Sequence, residues 1–479
     1  MLQNKGFENS ILKIPKNSFA KMLIVNIFYC FLYSFCYNRK YCYDYNKKLA
    51  FFINIIYTNN MIHYIKIKNF HSIYSEVTFD LRLDKKVSKS EFFYDSQTGY
   101  KVSRCQSVLG ENASGKTNLL KAIGFLKHLI LNKSNNRLPY LKFANNQESS
   151  LLEIGFETNS MYFEYTICFD QMAVLSEVLR YKDYGKKENI KELFSRENID
   201  GKVLLSSKDK DLNNEIKKLP SMPVWRTYVS FAFDFNWNNN KYLKSFHDYF
   251  SSQLFTNIHM TGDTNTVIRR GDKNIDIFDF YNSKDNKIWA INLFNRINQP
   301  IKDLSILKEF IDEDKVREIK SMINIPDGAD FKIKPAQKAI FSYNFGKDFS
   351  VEHIYESLGN RKLFDMIPAL YAIFNEGKNN VLIYDELDRS FHPELVYFIV
   401  SLFNDKEINK NDSQIIFASH CYSIINELSR HKITFVSKDK NTGETEIYKL
   451  SDIEGSDDFS NPYQKYMSGG LGSYPVIRE

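Results

Sequence analysis

The chain holds 479 residues, 43% apolar and 15% aromatic, with 39 Phe and 30 Tyr. This composition belongs to a packed protein with room for two or three core-forming units and excludes a disordered chain. A formal net charge of +6 gives no warrant for a DNA-binding body: residues 1–60 hold 8 Lys and Arg against 2 Asp and Glu, and the remaining 56 basic and 56 acidic residues cancel.

Residues 1–60 read as an N-terminal extension. Within it, Met22 to Tyr37, "MLIVNIFYCFLYSFCY", is apolar and flanked by Lys13, Lys16, Lys21, Arg39 and Lys40. At sixteen residues it falls short of the roughly 20 that a membrane-spanning helix needs. No small-x-small cleavage site follows. Three readings stay open: an appendage outside the fold, a membrane or interfacial anchor, or a buried extension. The six cysteines (Cys30, Cys36, Cys42, Cys105, Cys168, Cys421) form no CxxC pair and no His/Cys set with zinc spacing, as expected of reduced core thiols in a cytoplasmic protein.

Met61 begins a run in which Ile65 and Ile67 alternate with Tyr64, Lys66 and Lys68. A second alternating run places Val77, Phe79 and Leu81 on one face. Both predict strands, and the ordered domain is expected to start there.

Gly110, Gly115, Lys116 and Thr117 satisfy GxxxxGK[ST]. The apolar stretch "SVLG" precedes them, and Leu119, Leu120, Ile123, Leu126 and Ile130 follow as a helical stripe. Strand, glycine loop and helix form the context in which this motif cradles phosphate: backbone N–H groups and the helix N-terminus face the anion, Lys116 reaches the outer phosphates, and Thr117 offers its hydroxyl to magnesium.

"SLLEIGFET" and "MYFEYTICF" read as further strands, giving an N-terminal lobe over 61–185. Residues 186–350 are expected to form a mostly helical lid that carries partner or trigger specificity. "LSILKEFIDEDKVREIKSMI" predicts one amphipathic helix in this region, without the sustained heptads of a coiled coil. "VWRTYVSFAFDFNW" reads as core, and Asn236 to Asn240 as an exposed loop.

A C-terminal lobe over 351–479 holds three more signals. Ser357 and Gly359 stand before an apolar helical pattern, a second anion-binding N-terminus or an ordinary cap. "VLIYDE" is a strand that ends in Asp385 and Glu386, placed to support magnesium and to polarise a water, or else a plain acidic turn. "QIIFASH" is a strand ending at Ser419 and His420. Glu454, Asp457 and Asp458 read as a solvated loop. "SGG" at Ser468 to Gly470 lacks a strand with carboxylates behind it.

Taken in order, "GENASGKT", "ESLG", "VLIYDELDRSFHP" and "ASH" resemble Walker A, signature, Walker B with D-loop, and switch histidine of an ABC-type ATPase head. The branch is the one shared by structural-maintenance-of-chromosomes proteins, RecF and OLD-type ATPases. "GENASGKTN", "DELDRSFHP", "YMSGGLGSYP" and "IKIKNFHSI" are similar to the AAA ATPases of RloA and AbiL type from abortive-infection (phage-defence) systems. The resemblance covers about Met61 to Leu131 and Val351 onward.

It implies an α/β fold: a P-loop NTPase head of ABC type, a mixed sheet flanked by helices and split by a large, mostly helical insertion. It also implies ATP and Mg2+ as cofactors. Gly110, Asn112, Gly115, Lys116, Thr117 and Asn118 would bind nucleotide. Thr117 and Asp385 would hold the metal. Glu386 and His420 would be catalytic. Ser357, Gly359 and Asp388 would act across a homodimer. His71 stands where relatives often carry Arg or Lys, Asn360 where Thr is usual, and Gln171 is the guess for the Q-loop ligand.

The implied function is an ATP-hydrolysing switch, dimerising around ATP and controlling a separate effector, a nuclease or toxin. The alternative is a RecF-like DNA-repair ATPase, with nucleic acid as partner. A transporter subunit is disfavoured by the long insertion, so a membrane is not an expected partner. A non-hydrolysing nucleotide-sensing scaffold is disfavoured by Glu386.

Overall fold

This computed structural model describes residues 60–83, 93–131, 138–186, 188–236, 239–258, 260, 267–271, 273–309, 322, 336–377, 379–456 and 459–472. Contacts divide the chain into Met1–Tyr57 and Thr58–Glu479, and all that follows concerns the second unit. The apolar run Met22 to Tyr37 lies outside the described residues, as do Asp457 and Asp458 and the end of "YMSGGLGSYP".

The hairpin β1 (Met61–Lys68) and β2 (Val77–Asp80) forms where alternation predicts it, with Ile65 paired to Phe79 and Ile67 to Val77. Short strands β3 (Arg82–Leu83), β4 (Phe93–Asp95) and β5 (Lys101–Ser103) make a small antiparallel sheet. β6 (Cys105–Leu109), buried along its whole length, leads through the glycine loop into α1 (Lys116–Leu131). Then come β7 (Ser150–Thr158), β8 (Met161–Phe169), β9 (Val174–Asp183), β10 (Lys191–Ile199) and β11 (Lys202–Ser206). With the first hairpin they form an antiparallel sheet in the order β11-β10-β9-β8-β7-β1-β2.

Among the described residues, the middle of the chain differs from the mostly helical lid that the sequence predicts over 186–350. Helices α2 (Lys210–Ile216), α3 (Tyr228–Asp234), α4 (Lys241–Asp248), α5 (Ile277–Asn282) and α6 (Lys284–Arg296) are present. They are interleaved with β12 (Leu254–Thr256), β13 (Arg269–Arg270) and β14 (Lys273–Asn274), and followed by β15 (Ile301–Glu309), β16 (Ala336–Asn344) and β17 (Asp348–Glu352). The amphipathic helix predicted over 304–323 is a strand up to Glu309, held by antiparallel pairing with Ala336–Asn344. Of the remainder only Met322 is described, and it is helical. Tyr228, Val229, Phe231 and Ala232 are core, as expected. In the Asn-rich loop, Asn240 caps α4 by accepting from the Tyr242 and Leu243 N–H groups.

The last part contributes α7 (Leu358–Asn375), β18 (Val381–Tyr384), α8 (Pro393–Asn404), β19 (Gln414–Ala418), β20 (Ile433–Lys438), β21 (Thr445–Lys449) and α9 (Pro462–Met467). A second sheet runs β14-β13-β12-β18-β19-β6-β20-β21. Its five inner strands, β12 to β20, are parallel. Burial on both faces explains why these strands read as continuous apolar runs rather than alternating ones.

Side-chain alternation divides the interior. Val381, Ile383, Ile416 and Val108 point into a core shared with α1 and the antiparallel sheet. Leu382, Tyr384, Ile415, Phe417 and Leu109 point to the opposite face, where α7 and α8 cover them. Helix α1 therefore lies between the two sheets, and its start is fixed from both sides.

Candidate nucleotide site

Ligands in parallel sheets gather beyond the carboxyl ends of the strands. Here β6, β12, β18 and β19 deliver Gly110, Asn257, Asp385 and Ser419 to that edge. A cavity of about 350 Å3 opens there, lined by the loop from Asn112 to Asn118, by Asp385 and Glu386, by Ser419 and His420, and by Ser72 and Lys438.

The loop needs its glycines. A Cβ at Gly110 would meet the Val436 carbonyl oxygen at 2.1 Å, and Gly115 has φ +114° with Thr445 Oγ1 at 2.3 Å from where a Cβ would stand. Lys116 folds back over the loop, donating from Nζ to the carbonyls of Gly110 (2.9 Å) and Glu111 (2.8 Å). Burial lowers its pKa, while Asp385, Asp388, Glu386 and Glu111 oppose that shift. This is a cation held in a pocket by surrounding carboxylates, with donors to pass to an incoming anion.

Asp385 is buried at the end of β18. Burial pushes its carboxyl up, Thr117 donates to it, Glu386 pushes it further, and Lys116 pulls it back. Its Oδ2 is buried with no partner. The orphaned oxygen beside a hydroxyl and opposite an ammonium fits a magnesium site completed by phosphate oxygens and water. Among the described residues no cluster of three or more His, Cys, Asp and Glu side chains could hold a metal by itself.

Glu386 follows with φ +54°, and its Oε2 lies 3.4 Å from Arg389 Nη1. His420 lines the cavity, and its backbone N–H donates to Asp388 Oδ1 at 3.0 Å. Burial lowers the imidazole pKa, and Lys116 lowers it further. His420 is therefore neutral at pH 7 and can both donate and accept.

Ser357 and Gly359 do not line this cavity. Ser357 caps α7, its Oγ accepting from the Asn360 N–H at 3.2 Å. Tyr355 and Leu358 around it are 76% and 66% exposed. Gln171 is also elsewhere: it lies in the turn between β8 and β9, with its side chain directed at the Tyr140 carbonyl at 3.4 Å.

Two residues of the site, Asn257 and Thr445, give no motif signal. Asn257, just past β12, grips the backbone of Asp385 from both sides: its Nδ2 donates to the Asp385 carbonyl (2.9 Å) and its Oδ1 accepts the Asp385 N–H (2.8 Å). Thr445 Oγ1 donates to the Ser114 carbonyl at 2.9 Å and bonds Ser72 Oγ at 2.7 Å, while Asn118 Nδ2 donates to Ser72 Oγ at 2.8 Å. Pairing of β12 with β18, and of β20 with β21, places them. The one sequence hint is that "LFTN" ends an apolar run at a polar residue.

Among the described residues no helix is long and apolar enough to cross a membrane. No curated protein matches the chain. Among solved structures, the Smc head domain with an extended coiled coil, bound to the C-terminal domain of ScpA, from Pyrococcus furiosus, is similar at 14% sequence identity and a TM-score of 0.34; 82% of this chain and 96% of that chain are covered. The fold is α/β, with a mixed sheet flanked by helices and a strand, glycine loop and helix of P-loop form. With residues 107–426 matched by its model, the chain belongs to the family described as "AAA domain, putative AbiEii toxin, Type IV TA system".

Proposed function

We propose that the chain is a magnesium-dependent ATPase that works as a two-subunit switch. One observation carries this reading: Thr117 and the orphaned Asp385 oxygen meet in the same cavity as Lys116, Glu386 and His420.

The loop N–H groups and Lys116 bind and orient the phosphates. Magnesium, held by Thr117 and Asp385, would neutralise phosphate charge as a Lewis acid. Glu386, restrained by Arg389, accepts a proton from the attacking water, and His420 steadies the terminal phosphate. Water adds to the terminal phosphorus as the bridging bond breaks, giving ADP and phosphate.

Ser357 and Gly359 stand on an exposed helix start outside the cavity, which supports their use on the nucleotide of a second copy. The family's description, "putative AbiEii toxin, Type IV TA system", supports a defence setting; within it our reading is a switch of the RloA and AbiL kind, with a separate effector governed by nucleotide state.

The test compares full-length wild type with Glu386→Gln and Lys116→Ala for hydrolysis, ATP binding and solution mass. We expect slow wild-type turnover, at least a hundredfold loss in Glu386→Gln with ATP retained as a dimer, and no binding in Lys116→Ala. Wild type that binds ATP yet neither hydrolyses it nor dimerises would reject the switch.

A further inference from the structure

The turn after β18 holds two non-glycine residues in left-handed backbone, Glu386 at φ +54° and Ser390 at φ +68°. L side chains occupy that region only where the surroundings enforce it. Some of the enforcement is from backbone, since the Leu387 N–H donates to the Ala418 carbonyl at the end of β19 and the Arg389 N–H to the Glu386 carbonyl. The His420 N–H holds the Asp388 side chain, and one distant side chain gathers the turn's carbonyls. The carbonyls of Glu386, Leu387 and Arg389 converge on Lys362 Nζ at 3.2, 3.1 and 2.6 Å.

An ammonium carries three donors and no more. Lys362 spends all three on this turn. It is buried, with the Phe391 ring 4.4 Å and the Tyr384 ring 5.4 Å from its nitrogen. Lys362 belongs to α7, five positions after the cap residue Ser357. The same helix start also lies close against the same turn: a Cβ added at Gly359 would stand 3.1 Å from the Ser390 carbonyl oxygen. Hence the first turns of α7 and the segment 386–390 behave as one body.

We propose that Lys362 is a positioning residue, whose ammonium locks the turn aiming Glu386 onto the helix start that carries Ser357. A displacement of that helix start then moves the proton-accepting carboxylate of the same subunit. The inference rests on the proposed function for the roles of Glu386 and Ser357: a nucleotide held by a second copy, by engaging Ser357, would set the geometry of Glu386 at the subunit's own nucleotide. Turnover at the two sites becomes linked without any residue shared between them.

The test uses the full chain as wild type, Lys362→Met and Lys362→Arg, with ATP affinity, turnover and amide hydrogen exchange as readouts. Lys362→Met should bind ATP within about twofold of wild type, lose about 10- to 100-fold in kcat, and exchange faster over 386–391 while Val381–Tyr384 stays protected. Lys362→Arg keeps charge and bulk, but a planar fork cannot send three N–H groups to one corner. It should show the same pattern, with normal binding and low kcat, and it decides the matter if Lys362→Met fails to fold.

Wild-type kcat in Lys362→Arg would reduce Lys362 to a buried charge and overturn the proposal. So would loss of ATP binding in step with turnover, the mark of a merely structural residue. Should wild type itself not hydrolyse ATP, the ATPase reading fails, and exchange still decides the tie: equal rates over 386–391 in wild type and Lys362→Met would reject it.

Discussion

His71 sits beside the cavity-lining Ser72 with φ +53°, and its ring Nε2 is buried with no partner. Burial, aided by Lys121, lowers its pKa from 6.5 to about 4. The folded value lies below the unfolded one, so from pH 6.5 down to about 4 the unfolded chain takes up a proton that the fold refuses. Stability is therefore lost as pH falls through that window. Between pH 7 and pH 5 this single group should remove about 2 kcal/mol. His71→Asn tolerates the left-handed backbone and does not titrate. Urea unfolding at the two pH values should show wild type losing about 2 kcal/mol more than His71→Asn. Equal losses would mean that the ring is wet or partnered. The position also shows what replaces the Arg or Lys that the family resemblance leads one to expect: an uncharged ring, so that Lys116 and Lys438 are the cavity-lining cations.

At the scale of elements, β12 is three residues long and yet helps to place Asp385, the proposed magnesium ligand, because it pairs with β18 in parallel and is followed by Asn257. Asn257→Ala would leave the buried N–H and carbonyl of Asp385 unpaired, each costing about 1–3 kcal/mol. The clearer readout is magnesium. A ligand whose backbone loses its clamp binds metal less well, and the magnesium concentration for half-maximal hydrolysis should rise about tenfold or more, with the ATP requirement little changed. An unchanged magnesium titration would show that β18 holds Asp385 without help.

The same comparison explains what the sequence could disclose. Lys116, Thr117, Asp385 and His420 are legible because a strand, a sharp turn and a polar residue are written in consecutive positions. Asn257, Lys362 and Thr445 are not, since their roles depend on pairings with chain more than 20 residues away. Gln171 fits the Q-loop expectation by side-chain type alone, whereas the strand beside β18 decides which amide reaches the site. Residues 304–309 fit both a helical and an alternating pattern, with Leu304, Ile306 and Leu307 apolar. Only the partner strand Ala336–Asn344 settles them as strand, and no local signal reports it.

For the molecule as a whole, the cavity is bounded by residues from both sheets' lobes. Ser72 comes from the hairpin of the antiparallel sheet, and the loop, Asp385, Glu386 and His420 come from the ends of the parallel strands. Thr445 and Asn118 already join these parts through Ser72, and α1 is buried between the sheets. Sub-globular units of a chain this long can open separately, and a ligand protects only the units it spans. A nucleotide that touches both walls should therefore stabilise both together. At a ligand concentration 100 times the dissociation constant the gain is about 2.7 kcal/mol, and it should appear equally in each sheet. Amide exchange with and without ATP and magnesium gives the check, with β8 reporting on the antiparallel sheet and β19 on the parallel one. Under conditions where exchange follows opening equilibria, both strands should slow by about 100-fold, and neither should in Lys116→Ala. Slowing confined to β19 would place the nucleotide on the parallel sheet alone. The antiparallel lobe would then be free to open while ATP is bound, and any signal from nucleotide to partner would have to leave through α7 rather than through the outer sheet.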